Sequence, residues 1–479
     1  MTQAFHLLPW QDAPMLEDRE GHLHMDGVDL VAVAEQHGTP LFVYSEARLR
    51  ENARGLSAAF GPGSTVCFAS KACANLSILR LMEEEGVAIE VNSGGELAKA
   101  KHAGFDPGRI VFNGVAKSHR EIVAALDPPI KAINVDSVFE MQRIADIAAE
   151  RGVRANVALR AVPHVEGGST AGIETGSTRS KFGLIDEEIE SCLEIASSRP
   201  DSLCIAGLHF HIGSQMTNIE LYTAATRFVC ERAAKIRQRF PDDFVHINIG
   251  GGFPVSYVKY DDKTPEIGFF HTEVTAADVA REVRPIIDDL LGANIEILTE
   301  PGRSMTTNAC VVLSRVENIK QRGDTTWLYI DAGYSVISES DGWYFHMITA
   351  NRTAEQPTRH FRVVGPLCDS TDVYFDIEGE AKLKALLEAE PALATHRDLL
   401  ANQLVNGPGF LELPAATGAG DLIAILDTGS YQIETTTHYC GRARPAVLMV
   451  RESGEIDVIR RADRVEDLWS QEENPAARF

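Results

Sequence analysis

Four apolar, strand-like runs begin at residues 65, 87, 109 and 131, each 22 residues after the one before. That interval holds one short strand, a loop and one short helix, repeated. Further runs at 155–162, 204–211, 244–249 and 294–300 extend the series begun by 65–70, 87–92, 109–113 and 131–135 to eight. Amphipathic stretches such as 75–85, 95–103 and 137–150 fall between them as helices. Strand–helix alternation implies a parallel sheet, and eight such units close into a (β/α)8 barrel. The rival is a doubly wound open sheet, which seldom runs to eight units and carries its glycine-rich turn near the first strand. Here Gly250-Gly251-Gly252 follows the seventh.

The alternation stops after about residue 303. Short strand-like runs at 309–316, 327–329, 361–364, 421–424 and 446–450 then predict a mainly-β domain. The expected division is an N-terminal segment 1–40 joining the β domain, a barrel over 41–303, and the β domain over 304–479. Residues 380–404, rich in Ala, Leu and Glu, read as a helical insertion, and the charged stretch 461–479 as a fraying tail.

A length of 479 residues suits two or three domains. With 45 Lys and Arg against 69 Asp and Glu the net charge is −24, which repels a phosphate backbone. The densest basic spot, Arg460-Arg461 with Arg464, is interrupted by Ala462 and Asp463. Nucleic-acid binding is therefore not expected. No apolar run approaches the length of a membrane helix, and the start Met1 to His6 lacks the basic and apolar regions of a secretory signal. The eight cysteines form no C-x-x-C pair, the pattern of reduced thiols in a cytoplasmic protein with no disulfide frame and no zinc site.

Chemistry in such barrels gathers at the C-terminal ends of the strands. Strand one ends in Ser70-Lys71, an amine at the barrel mouth that desolvation would make able to condense with a carbonyl; the plain alternative is a solvated lysine opening a helix. Strand six carries His209 and His211 on one face; no third residue completes a metal site, so ring stacking or core packing is expected. Ser214 follows at the strand end, within reach of a phosphate oxygen. The glycine triplet lets bare N–H groups approach an anion, against the plain reading of a flexible turn. Strand eight ends in Glu300-Pro301-Gly302-Arg303, an acid and a forked cation that otherwise make a simple ion pair. An amine, a phosphate cradle and an acid together point to pyridoxal 5'-phosphate, with its aldehyde, phosphate and ring nitrogen. An acid at the ring nitrogen keeps the electron sink strong and favours decarboxylation over racemisation.

At these residues the sequence resembles the barrel-type, fold III pyridoxal-phosphate decarboxylases over roughly residues 21–467. That resemblance implies an alanine-racemase-like barrel with a β domain. It implies Lys71 as the cofactor-bonding lysine, His211 on the ring, and Ser214, Gly250, Gly251, Gly252, Gly302 and Arg303 as phosphate contacts. Glu300 would be the ring-nitrogen partner. Asn113-Gly114, Asn134-Val135-Asp136-Ser137 and Ser180-Lys181-Phe182-Gly183 match family landmarks. Gly365-Pro366-Leu367-Cys368-Asp369-Ser370-Thr371-Asp372 resembles the segment that family homodimers insert into the partner's site. The resemblance makes Cys368 the acid that protonates the product carbon and Asp369 the holder of a distal ammonium. A free cysteine is otherwise usually core filler. Gly429-Ser430-Tyr431 matches a motif whose tyrosine touches phosphate, and Arg303, Tyr344, Asp369 and Tyr431 are the expected substrate contacts.

Diaminopimelate decarboxylases usually carry an Arg-Pro soon after their Asp-Ala-Gly. Here Asp331-Ala332-Gly333-Tyr334 is followed by Glu339 and Asp341 and no arginine. An acid-lined pocket prefers a cationic tail. That feature, the shorter acid of Cys-Asp-Ser, Gly333–Val336 and the stretch 257–262 resemble the D-ornithine/lysine decarboxylase branch, whereas Ser180–Gly183 is closer to the diaminopimelate enzymes. The expected activity is decarboxylation of D-lysine or D-ornithine by a homodimer with shared active sites. The alternative is meso-diaminopimelate decarboxylation to L-lysine, with Arg352 or Arg179 in place of the missing arginine. A more distant one is a non-catalytic, partner-binding relative.

Overall fold

The computed structural model describes residues 15–163, 165, 181–257, 259, 270–338, 340–353, 355–374, 378–397, 400 and 411–473. Eight parallel strands close into a barrel: Ser64–Ala69, Ala88–Val91, Ile110–Phe112, Ala132–Val135, Ala155–Arg160, Leu203–His209, His246–Asn248 and Glu296–Thr299. They are barrel strands one to eight below; strand eight pairs back onto strand one with Thr299 opposite Val66. Each overlaps a run that the sequence pattern marks as a strand, with ends that differ by at most two residues.

The 22-residue interval is set by helix caps. Asn75, Ser93, Ser118 and Ser137 each accept a hydrogen bond from an N–H in the first turn of the helix that follows. Gly104 and Gly152 end two of those helices in the left-handed conformation, which a residue without Cβ adopts at little cost. Strand six departs from expectation. Its ladder with strand seven stops at the His209–Asn248 pair, and the Phe210 N–H then bonds the Asn248 carbonyl at 3.0 Å. His211 therefore lies beyond the strand and does not share a strand face with His209. Ser214 is further out, in the following bend.

Inside the barrel, Cys67, Ala88, Val111 and Leu298 form an apolar plug. Toward its N-terminal end Glu296 accepts from Thr65 at 2.6 Å and pairs with Lys131 at 2.7 Å. At its C-terminal end the inward positions are polar and hold the candidate site.

The second compact unit comprises residues 1–49, 256–271 and 307–479, and the barrel unit residues 50–255 and 272–306. The boundary expected at residue 41 thus differs from the observed one. Leu41–Ser45 is buried along its whole length and needs a strand on each side. It runs antiparallel to Cys310–Arg322 and parallel to Ala446–Val450 in the β sheet. The short strands Leu16–Arg19 and His22–Met25 contribute Leu16, Leu23 and Met25 to the same core as Val43, Val311 and Leu313. The expected insertion contains helix Glu378–Ala389 and a 3-10 turn Pro391–His396. Its last residues, 401–404, and the chain ends 1–14 and 474–479 lie outside the described residues. Among the described residues no helix is long and apolar enough to cross a membrane.

Leu298 is fully buried in the barrel plug. Leu298→Ala is expected to destabilise the protein by about 2–5 kcal/mol, read as a lower urea midpoint with an unchanged slope. A loss below about 1 kcal/mol would mean the barrel centre is not packed as described.

Candidate active site

Barrel strands two, three, four, six, seven and eight each bring a polar side chain to the C-terminal end of the barrel, and Glu300 is the hub. It follows strand eight and is buried. Its Oε1 accepts from Asn248 Nδ2 at 2.7 Å and Asn134 Nδ2 at 3.5 Å; its Oε2 accepts from Asn113 Nδ2 at 3.0 Å and lies 3.2 Å from His209 Nε2. Burial alone would raise its pKa. The neighbouring His209, the Lys71 charge and the Asn248 amide outweigh that and hold the carboxyl well below the usual range, so it is ionised. Burial lowers the His209 pKa, so the ring is neutral with Nε2–H as the donor to Glu300.

Glu300, His209 and Asn113 open onto a cavity of about 520 Å³ that Lys71, Asn92, Arg160, Phe182 and His211 also line. Lys71 lies in the one-turn helix Ser70–Ala72 that follows strand one and is exposed to that space. The Arg160 guanidinium sits over the Phe182 ring, 4.3 Å from its centre, and 3.8 Å from Asp136. Of the Ser180–Gly183 landmark, Ser180 lies outside the described residues.

The glycine triplet behaves differently from the bare-donor expectation. The Gly250 N–H bonds Asn248 Oδ1 at 2.9 Å and the Gly251 N–H bonds His211 Nδ1 at 3.2 Å. The Gly252 N–H has no acceptor among the described residues. Glycine is required here mainly by crowding. A Cβ on Gly251 would overlap the Glu300 carbonyl, and one on Gly250, at φ +67°, would come 2.9 Å from His211 Nδ1. His211 accepts through Nδ1 because its pKa lies well below the ordinary value, lowered by burial and then by the Lys71 and Arg160 charges. Nearby, Arg303 Nε donates to Ser214 Oγ at 3.1 Å. Gly302 faces Ala69 and Ala72. The barrel unit therefore gathers Lys71, His211, Ser214, Gly250–Gly252, Glu300, Gly302 and Arg303.

The other expected residues belong to the β unit. Asp372, almost fully buried, ties the loop 365–372: its carboxylate accepts from Leu367 N at 2.6 Å and Tyr334 N at 2.8 Å. That knot leaves Cys368 exposed on the loop. Asp369 is fixed by Thr371 through Oδ1, and by Tyr334 Oη at 3.1 Å and Tyr439 Oη at 3.3 Å through Oδ2. Tyr431 holds φ +70°, an uncommon conformation for a non-glycine residue and of the kind found at functional sites. Tyr344 is fully buried against Phe270, at 6.0 Å between ring centres, and so belongs to the aromatic core. Arg352 is engaged by Asp421 at 3.0 Å and Glu355 at 2.8 Å. Arg179 and Glu339 lie outside the described residues.

Sequence pattern alone does not single out Glu90 or Asn248, leaves His209 to stacking or packing, and gives Asn113 and Asn134 no role. Each stands at the inward parity of its strand near the C-terminal end, a period-two signal that could have found them.

A cavity lined by an amine and an ionised buried acid, with a crowded glycine turn, a serine and an arginine in the same barrel unit, defines a barrel-type pyridoxal-phosphate enzyme. The donor set fits that cofactor: an aldehyde partner, a base for a pyridine nitrogen, and hydroxyl and guanidinium groups for a phosphate. The family model described as pyridoxal-dependent decarboxylase, pyridoxal binding domain, matches residues 46–307. The chain belongs to this family and is a pyridoxal-phosphate-dependent amino-acid decarboxylase. It is 32% identical over 452 residues to diaminopimelate decarboxylase from Aquifex aeolicus, covering 94% of this chain and 95% of that one. The crystal structure of diaminopimelate decarboxylase from Methanocaldococcus jannaschii in co-complex with L-lysine superposes with TM-score 0.82 at 29% identity, over 98% of this chain and 100% of that one. A lysine/ornithine decarboxylase complexed with putrescine from Vibrio vulnificus gives TM-score 0.67 at 22% identity, over 88% and 96%, a likeness of fold alone.

Because its pKa is depressed, the His211 imidazole is expected to remain neutral at about pH 6, where an ordinary histidine is largely protonated. Nitrogen chemical shifts of labelled histidine check this; a midpoint at the ordinary value would contradict the hydrogen bond from Gly251. Gly251→Ala is expected to weaken pyridoxal-phosphate binding at least tenfold, measured by titration of the purified protein.

Proposed function

We propose that this protein is a diaminopimelate decarboxylase, releasing carbon dioxide from meso-diaminopimelate and leaving L-lysine. The observation that carries the reading is the breadth of the likeness: several diaminopimelate decarboxylases at 29–32% identity, each covering about 95% of this chain. The D-lysine or D-ornithine reading rests on the missing arginine after Asp331–Gly333. The relatives at 29–32% identity named above are diaminopimelate decarboxylases, and the lysine/ornithine decarboxylase shares only the fold. Arg352, already paired with two carboxylates, is a poor substitute for the missing group. Arg303 is the arginine this reading assigns to a substrate carboxylate.

In this reading Lys71 would bond the cofactor aldehyde, and Glu300, held ionised by His209, the Lys71 charge and the Asn248 amide, would pair with the ring nitrogen. Neutral His211 would lie against the ring. Ser214, the glycine turn through its Gly252 N–H, Gly302, Arg303 and Tyr431 would hold the phosphate. Bound pyridoxal phosphate supplies the electron sink that makes loss of carbon dioxide feasible. The working unit is a cytoplasmic homodimer in which exposed Cys368 reaches the partner's barrel and donates its Sγ proton to the substrate carbon. Asp369, held by Tyr334 and Tyr439, receives the ammonium at the far end of the substrate.

Carbon dioxide release measured across meso-diaminopimelate and both enantiomers of lysine, ornithine and arginine tests the substrate. Release from meso-diaminopimelate alone is expected; release from D-lysine or D-ornithine alone would restore the other reading. Cys368→Ala is expected to lower kcat by about 10²–10⁴-fold with the visible spectrum of the bound cofactor unchanged.

A further inference from the structure

Glu90 is the second carboxylate of the barrel floor and has no part in the reading above. It lies on strand two with its side chain fully buried. Its Oε1 accepts from Asn113 Nδ2 at 2.7 Å, and the same amide nitrogen donates to Glu300 Oε2 at 3.0 Å. Two carboxylates thus share the two hydrogens of one amide. Glu90 Oε2 is buried and has no hydrogen-bond partner among the described residues. A bare buried oxygen is tolerated far better on a neutral carboxyl than on an ionised one.

The charged and titratable groups around it are Lys71 after strand one, Cys67 on strand one, Glu96 on helix Gly94–Ala103, Arg160 on strand five and Glu300 after strand eight. Burial, offset in part by Lys71 and then reinforced by Glu300 and Glu96, pushes Glu90 up to about 7. Glu300 has four donors and is held well below the usual range. One acid of the pair takes a proton and the other does not, as expected when two carboxyls occupy environments that drive their pKa values apart.

We propose that Glu90 is a positioning residue: by carrying a proton while sharing the Asn113 amide, it spares ionised Glu300 a second buried negative charge and keeps it aimed at the cofactor, and its own ionisation as pH rises places that second charge beside Glu300. The inference rests on the assignment of Glu300 to the ring nitrogen and is independent of which amino acid is decarboxylated.

The test is a pH titration of the visible absorption of the holoenzyme, read beside kcat. The wild type is expected to show a transition near neutral pH. Glu90→Gln keeps an acceptor for Asn113 but cannot ionise. It is expected to lose that transition while its dissociation constant for pyridoxal phosphate stays within about threefold of wild type. Glu90→Asp, which restores an ionisable acid, is expected to bring the transition back. Asn113→Ala removes a hydrogen bond that lowers the Glu90 pKa and is expected to move the transition upward. A transition in Glu90→Gln identical to wild type would overturn the inference. If that variant does not fold, an unmoved transition in Asn113→Ala does so equally. Glu300→Gln separates the two assignments: an unchanged spectrum there removes the role of Glu300, whereas a persisting transition in Glu90→Gln removes only the role of Glu90.

Discussion

The burial of one ionised carboxylate, Glu300, dictates much of what surrounds it. Moving such a charge out of water costs far more than a single hydrogen bond returns, so it must be surrounded by donors. The barrel supplies four, Asn113, Asn134, Asn248 and His209, from four different strands. A (β/α)8 barrel suits this because the last inward position of each strand points toward the same axis. The apolar plug beneath, from Cys67 to Leu298, closes that floor from the other end.

The glycine turn follows from the same constraint. Strand seven must carry Asn248 to Glu300 and then pass directly against the Glu300 backbone, where the Gly250 carbonyl receives the Glu300 N–H at 2.7 Å. No side chain fits at Gly251 in that approach. The turn also fixes His211, whose Nδ1 takes the Gly251 N–H and which therefore needs a neutral ring. The β unit uses a buried acid in a similar way. Asp372 gathers the N–H groups of Leu367 and Tyr334, and the loop so tied presents Cys368 and Asp369.

The barrel was legible because its repeat is local: capped helices and strands of constant spacing need no knowledge of partners. Lys71, Glu300 and Arg303 were legible from their place at strand ends. The state of the glycine N–H groups was not, since it depends on Asn248 and His211 arriving from elsewhere in the fold. Glu90 escaped notice because an acid in a short strand looks like a surface residue until the closed barrel turns it inward. Leu41–Ser45 was given to the barrel because its true neighbours lie about 270 and 400 residues further along the chain. The missing arginine near Asp331 pointed to the D-configured substrate, whereas likeness along nearly the whole chain favours diaminopimelate.

The central claim is that Glu300 stays ionised at the barrel floor while its neighbour Glu90 does not. Infrared difference spectra between wild type and Glu300→Gln, taken at about pH 5 on protein carrying labelled glutamate, address it directly. Loss of a carboxylate band with no loss of a carboxylic-acid C=O band is expected. Loss of the C=O band instead would show that Glu300 is protonated and would contradict the account.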